Sequence, residues 1–455
     1  MRIHFIAIGG AAMHNLALAL AENGYQVTGS DDEIFDPAKM RLEKAGLLPE
    51  TMGWNPEQIT HETDAIILGM HARKDNPELL KAQSLGIKIY SYPEFLYKHT
   101  KNKTRVVIAG SHGKTTVTSM IMHVLKTTGI NYDYMVGAQI EGFDTMVSLR
   151  QDTEIAVFEG DEYLSSPIDR RPKFLHYKPH IAVINGIAWD HINVFPDFEM
   201  YVDQFRILVE SVKPGGVVYY NSDDTVLSDL MALIERKDIS VEEFSMHAFE
   251  NRNEETILKK DGKDTVQVSI FGEHNMRNIS AAKKICLKLG VGENEFYDAI
   301  SSFSGSAKRL QLLHEDKKNK VFLDFAHAPS KVHATVQAVR NKFPESELHC
   351  VLELHTFSSL NKQYLKDYKD TLEYADNAIV YFNPEVVKHK NLPEITIDDI
   401  KIAFQKKDLV ITNSTDIFRT SLKSSDSTKK TKVYLFMSSG NFNGLTYNDL
   451  ISFCY

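Results

Sequence analysis

Cysteine is nearly absent from this 455-residue chain: Cys286, Cys350 and Cys454 lie far apart and form no Cys-x-x-Cys pair. That argues against a cysteine metal site or a dithiol redox motif, and predicts buried or inert thiols. No window holds the ~20 uninterrupted apolar residues of a membrane-spanning helix. Met1 runs straight into a strand pattern, without the basic start and apolar stretch of a secretory signal. An excess of positive charge is missing too. The formal net charge is −9, which argues against the continuous basic surface of a nucleic-acid binder, so any anionic ligand must be met by local groups. These absences predict a cytoplasmic protein with neither membrane insertion nor a nucleic-acid partner.

What is present is the 43% apolar and 25% charged composition of a globular protein. The length gives two to four domains. Strand patterns at Arg2 to Ile8, Tyr25 to Gly29, Ala65 to Leu68 and Ile87 to Tyr90 alternate with helical sequence, which predicts a parallel α/β block over residues 1–103. A second such block over 104–314 has strands at Arg105 to Ala109, Glu154 to Phe158, Ile181 to Ile184 and Gly216 to Tyr220. Its helices are expected at Thr115 to Lys126, Asp197 to Val212 and Ile279 to Leu289, the last closed by Gly290. A third block, 315–455, carries strands at Val321 to Asp324, Leu348 to Glu353, Ala378 to Phe382, Leu409 to Thr412 and Lys432 to Met437. Polar segments such as Ser424 to Lys430 fall between elements.

The sharpest local signal is Gly110-Ser111-His112-Gly113-Lys114-Thr115-Thr116, which follows a strand and opens a helix. Glycines free backbone amides to face phosphate oxygens, and the positive helix end reinforces them. Lys114 can reach terminal phosphates, and the Thr115 hydroxyl can serve Mg²⁺. Ile108 stands where the full phosphate-loop pattern has its first glycine, so an ordinary strand-to-helix turn is the competing reading. The Gly9-Gly10 turn, with Asp31 at the end of the second strand, is a second candidate phosphate site. It lacks Gly-x-Gly-x-x-Gly, and a nicotinamide-dependent dehydrogenase would leave Lys114 unexplained.

Two polar clusters end later strands, Glu159-Gly160-Asp161-Glu162 and Trp189-Asp190-His191. Groups beyond the carboxyl ends of parallel strands converge on a crevice, which makes Glu159 and His191 candidates for metal or phosphate contact. Asn275 and Asn278, three residues apart, present two amides on one side of a helix, suited to a nucleotide base or to capping. Lys308-Arg309 and Asp324-Phe325-Ala326-His327 add charge and directional donors downstream.

In this order the motifs resemble the Mur ligase family over essentially the whole chain. The resemblance extends through Phe303-Ser304-Gly305-Ser306-Ala307-Lys308-Arg309-Leu310, Asp324 to Pro329, and Met437-Ser438-Ser439-Gly440-Asn441-Phe442-Asn443-Gly444. It implies three domains: an N-terminal Rossmann-like domain for a UDP-sugar, a central phosphate-loop ATPase domain, and a C-terminal Rossmann-like domain that closes the site and selects the amine. It also implies ATP-dependent amide-bond formation through an acyl phosphate, with UDP-N-acetylmuramate as donor and a murein peptide as acceptor. Free L-alanine is the alternative acceptor, and a nucleotide-responsive binder without turnover is the non-enzymatic alternative.

On this resemblance Gly9, Gly10, Ser30 and Asp31 meet the UDP-sugar. Gly110, His112, Gly113, Lys114, Thr115 and Thr116 hold ATP, and Thr115, Glu159 and His191 hold Mg²⁺. Asn275 and Asn278 contact adenine, Arg309 contacts phosphate, and Asp324 contacts ribose or serves closure. His355, Ser438, Ser439 and Gly440 face the acceptor. Three positions depart from the pattern usual in the peptide-accepting members of that family: His355 and Lys308 stand where arginines are usual, and Ser438-Ser439-Gly440 replaces Ser-Asn-Gly.

Overall fold

Every strand expected from hydrophobic patterning forms in the computed structural model, which describes residues 1–454 apart from 192–193, 253, 261–263 and 424–430. The polar segment expected at Ser424 to Lys430, and Tyr455, lie outside the described residues. The fold is α/β with several parallel sheets. Contacts divide the chain into two units, the first made of Met1–Ile187, Asp197–Ser245 and Ala281–Phe296, the second of Ala188–Pro196, Met246–Ser280 and Tyr297–Tyr455. The first expected block and most of the second thus share one unit.

The first unit carries two sheets. Strands β1 (Arg2–Ile6), β2 (Gln26–Ser30), β3 (Ala65–Leu68) and β4 (Lys88–Ser91) form a parallel sheet in the order β2-β1-β3-β4. Ile6, Ile66 and Leu68 pack with Leu79 and Ala82 of the helix Pro77–Ser84 that covers this sheet. Strands β5 (Thr104–Ala109), β6 (Asp133–Met135), β7 (Val147–Ser148), β8 (Ile155–Glu159), β9 (Ile181–Ile184), β10 (Val217–Asn221) and β11 (Ser240–Phe244) form the second. Its order is β11-β10-β9-β5-β8-β6-β7, with only β7 antiparallel. Strands β5, β8 and β9 are adjacent and nearly continuous in apolar residues, as a sheet buried on both faces requires.

The second unit has a three-stranded antiparallel sheet, β12 (Phe249–Arg252), β13 (Glu255–Lys259) and β14 (Thr265–Val268), where patterning indicated no strands. These strands are short and charged, so alternation is weak in the sequence. Its larger sheet comprises β15 (Gln311–Glu315), β16 (Asn319–Asp324), β17 (Glu347–Leu354), β18 (Asn377–Phe382), β19 (Val410–Thr412) and β20 (Lys432–Met437), ordered β15-β16-β20-β17-β18-β19. Alternate residues supply two separate cores: Phe322, Leu348, Cys350 and Leu352 on one face, Val321, Leu323, Val351 and Phe436 on the other. All three cysteines are buried and free.

One helix differs from expectation. The element expected at Ile279 to Leu289 starts at Glu273 and ends at Lys288. Gly272, at φ +90, makes the break, and acidic Glu273 suits the positive helix end. The early start puts Asn275 and Asn278 inside the helix.

Candidate functional site

The candidate phosphate loop leaves β5 at Ala109 and turns under two left-handed glycines, Gly110 (φ +119) and Gly113 (φ +71). A Cβ on Gly110 would lie 2.9 Å from the Asn185 amide nitrogen and 3.0 Å from the Gly186 carbonyl oxygen. No other residue fits there. Ser111 N donates to Gly186 O at 2.9 Å, which ties the loop to the end of β9. The helix Lys114–Thr127 follows, with Thr115 and Thr116 buried.

Lys114 Nζ donates to Gly110 O at 2.7 Å and to Glu162 Oε2 at 2.8 Å. Burial alone would push this ammonium toward neutrality, but the carboxylates of Glu162 and Asp161 outweigh burial and hold it above the usual lysine range. Glu162 is fixed in turn by Tyr201, whose hydroxyl donates to Oε1 at 2.8 Å and is bonded to Ser111 Oγ at 2.8 Å. Glu159 ends β8, accepting Thr115 Oγ1 at 3.0 Å on one oxygen and Gly137 N at 2.7 Å on the other. A Cβ on Gly137 would come within 2.7 Å of the Glu159 carboxylate. This hydroxyl–carboxylate pair is the hard-oxygen donor chemistry that Mg²⁺ takes, and the residues present fit it. His112 joins the same loop, its carbonyl accepting Asn185 Nδ2 at 3.4 Å.

At the head of the first sheet the structure gathers Gly9, Ser30 and Asp31. Ala7 N and Ile8 N donate to Ser30 O, and Gly9 N donates to Asp31 Oδ2 at 2.7 Å. Gly10 N-caps the helix Ala11–Glu22 and offers its carbonyl to His14 Nδ1 at 2.9 Å. Burial raises the Asp31 carboxyl to about 6. Behind this turn, Ser30 Oγ donates to buried Glu78, which also accepts Asn55 N at 2.7 Å and sits 3.4 Å from His4.

In the second unit Asp324, at the end of β16, accepts Leu310 N and Ala326 N at 2.7 Å each, with Thr335 Oγ1 at 3.4 Å. These bonds brace the backbone between Lys308 (φ +55) and Leu310 (φ +47). Arg309 spreads over the Phe325 ring, 4.6 Å from its centroid. Asn278 Nδ2 donates to Asn275 Oδ1 at 3.1 Å, and Asn275 Nδ2 to Phe271 O at 2.9 Å, so the two amides form one buried chain. His191 (φ +55) follows Asp190 in this unit. Burial would raise the Asp190 carboxyl, yet Lys331, His191 and His327 hold it well below the usual range.

Strands β17 and β20 are neighbours, Leu352 standing opposite Met437. From β17 the chain runs on to β18 and β19, and β20 returns on the other side, so their carboxyl ends flank a topological switch point, the usual ligand crevice of such sheets. That edge brings His355 and Ser438 to Gly440 together. Buried Glu353 links them: it accepts Ser438 Oγ and, at 3.0 Å, Phe442 N, and its other oxygen is 4.0 Å from His355 Nδ1. Ser439 Oγ is buried without a hydrogen-bond partner among the described residues.

Sequence reasoning missed Tyr201 and Glu353, and gave Glu162 no role. Glu162 had a signal in its acidic run. Tyr201 and Glu353 read as ordinary helix and strand residues, and only their long-range partners single them out.

Residues 2–104 match the Mur ligase family catalytic domain, and 108–286 the Mur ligase middle domain. A UDP-N-acetylmuramate–L-alanine ligase of Caldicellulosiruptor bescii is 30% identical over 421 residues, 88% of each chain. The UDP-N-acetylmuramate–L-alanyl-gamma-D-glutamyl-meso-2,6-diaminoheptandioate ligase of Escherichia coli K12 is 30% identical over 349 residues, 75% of this chain and 76% of that one. A solved UDP-N-acetylmuramate–alanine ligase from Thermotoga maritima has the same fold at TM-score 0.73, with 20% identity over 100% of this chain and 99% of that one.

Proposed function

Because this chain belongs to the Mur ligase family, whose members are ATP-dependent amide-bond-forming ligases acting on UDP-muramyl substrates, we propose that it joins UDP-N-acetylmuramate to L-alanyl-γ-D-glutamyl-meso-diaminopimelate or a related murein peptide. The observation that carries the chemistry is Lys114, held charged at the head of a helix beside the Thr115–Glu159 oxygen pair.

A carboxylate is a poor acyl donor. Transfer of the γ-phosphoryl group of ATP to the lactyl carboxylate releases ADP and gives an acyl phosphate. The peptide amine then attacks the acyl carbon, the tetrahedral intermediate expels inorganic phosphate, and the ammonium proton passes to solvent. Lys114 steadies the charge on the transferred phosphoryl group, and the loop amides orient it. Thr115, Glu159 and His191 would hold magnesium, which would supply further charge neutralisation. Gly9, Gly10, Ser30 and Asp31 position the UDP-sugar. Gly110, His112, Gly113 and Thr116 shape the ATP cradle. Asn275, Asn278, Arg309 and Asp324 serve the nucleotide side. We assign residues 1–103 to the UDP-sugar, 104–314 to ATP and 315–455 to the acceptor and closure. Both phosphorylated substrates are cytosolic compounds, which supports a cytoplasmic location.

Glu159→Gln and His191→Ala should each raise the Mg²⁺ concentration needed for half-maximal ADP formation by roughly tenfold or more, leaving UDP-sugar affinity near wild type. Metal titration of turnover beside equilibrium binding of UDP-N-acetylmuramate checks this, and an unchanged magnesium response in both variants rejects the ligand set.

The peptide reading draws support from the Escherichia coli relative and from the polar rim of the β17–β20 crevice. There Asn383 Nδ2 reaches Asn443 Oδ1 at 3.0 Å, and Lys390 lies over the Phe357 ring. Free L-alanine is the second reading, favoured by the Caldicellulosiruptor relative and by His355, which lacks the two-pronged guanidinium that suits extra carboxylates. With ATP and UDP-N-acetylmuramate, the tripeptide should give its amide with at least roughly tenfold greater kcat/KM than alanine, as judged by product mass. Preferential use of alanine overturns the peptide assignment.

A further inference from the structure

The helix Pro329–Lys342 opens with a residue that its own field disfavours. Its N-cap, Ala328, offers no side-chain acceptor, the first turn has no acid, and Lys331 stands third, at the positive end. Cations belong at the opposite end, where Arg340 and Lys342 lie. Lys331 is compensated from outside the helix. Its Nζ is 3.4 Å from Asp190 Oδ2, with the two side chains 24% and 15% exposed.

The other oxygen of Asp190 is also engaged. Oδ1 accepts the backbone amide of His191 at 2.8 Å. His191 has φ +55, a conformation that side chains other than glycine seldom adopt. Its carbonyl accepts Val194 N at 2.8 Å and Phe195 N at 2.9 Å, and Trp189 Nε1 closes the turn on Phe195 O at 3.0 Å. One carboxylate therefore spans a lysine on one side and the strained backbone of His191 on the other.

We propose that Lys331 is a positioning residue for metal binding: it anchors the Asp190 carboxylate, which holds His191 in its left-handed turn with the imidazole directed for coordination. The inference rests on the reading of His191 as a magnesium ligand. Lys331 itself touches neither metal nor phosphate in this role. Were the pair only a structural staple of the helix start, its loss would lower stability and leave metal affinity alone.

The test uses the full chain with Trp54→Phe, which leaves Trp189, beside the Asp190 turn, as the sole tryptophan. Mg²⁺ is titrated with ADP present, following Trp189 emission, and ADP formation is assayed in parallel. Lys331→Gln should shift the metal midpoint upward by roughly tenfold, the usual effect of removing a partner behind a metal ligand. Lys331→Arg should stay within about twofold of the parent. KM for UDP-N-acetylmuramate should not move in either variant. A parental metal midpoint in Lys331→Gln overturns the proposal, as does an equal shift in Lys331→Arg and Lys331→Gln. Absence of any metal response in the parent removes the ligand role of His191 and the proposal with it. Failure of the ligase reading appears differently, as a metal response in Trp189 emission without amide product.

Discussion

Lys114→Ala lowers ADP formation by about a thousandfold or more, the scale of losing a preorganised charge at a transferring phosphoryl group. The ammonium is poised for this by its surroundings, since Glu162 and Asp161 keep it charged despite burial. The same variant has a second consequence. The Glu162 side chain is 1% exposed and loses its ion-pair partner, keeping the Tyr201 hydroxyl. Breaking a buried pair from one side costs about 3–5 kcal/mol, and the retained hydrogen bond places this case toward the lower end. Lys114→Ala combined with Glu162→Gln removes the stranded charge, so melting recovers while turnover does not. Steady-state ADP release and thermal melts of the three proteins read both effects. Turnover within tenfold of wild type in a folded Lys114→Ala protein sinks the assignment.

Arg105→Ala produces the largest loss of stability expected in the chain outside the phosphate site. Arg105 is 1% exposed, and its guanidinium donates to backbone carbonyls throughout. Nε donates to Tyr177 O at 2.7 Å, and Nη1 to Thr100, Lys101 and Lys103 O at 2.9 Å each. Nη2 and Nε share Lys178 O, in a residue at φ +44. The guanidinium thus binds the end of the helix Tyr92–Thr100, the joint that follows it and the turn before β9. Truncation leaves several buried carbonyls without a donor, each worth about 1–3 kcal/mol less what entering water restores. A loss of about 3–5 kcal/mol is expected. Lysine cannot copy a five-donor fork, so Arg105→Lys should recover less than half of it. Calorimetry of the two variants checks the ranking, and Arg105→Ala melting with wild type would refute it.

These two residues also mark where sequence reading succeeds and where it stops. The placement of Lys114 was legible because it is local: strand, glycines, lysine and hydroxyl follow one another, and the turn is set by its own residues. Thr115 was legible for the same reason. Arg105 looked like the first polar residue of an apolar strand, because its acceptors at 177 and 178 are more than 70 residues away. Asp324 was expected at a ribose or in closure, and the bonds that occupy its carboxylate come from Leu310, Ala326 and Thr335, which no spacing rule connects.

The sequence by itself determined the parallel α/β class, the apolar strands β1 to β5, β8 to β10 and β16 to β20, and the glycine turn before Lys114, because apolar runs and glycine turns act over a few residues. The short or charged strands β6, β7 and β11 to β15 carried no such signal. The tertiary structure decided that Glu162 and Tyr201 hold Lys114, that Glu353 joins His355 to Ser438, and that Asp190 meets Lys331. Those pairs depend on sheet order and on which strand ends become neighbours. A buried charge takes whatever partner the packing brings within about 3 Å, and nothing in its own neighbourhood of the chain encodes that partner.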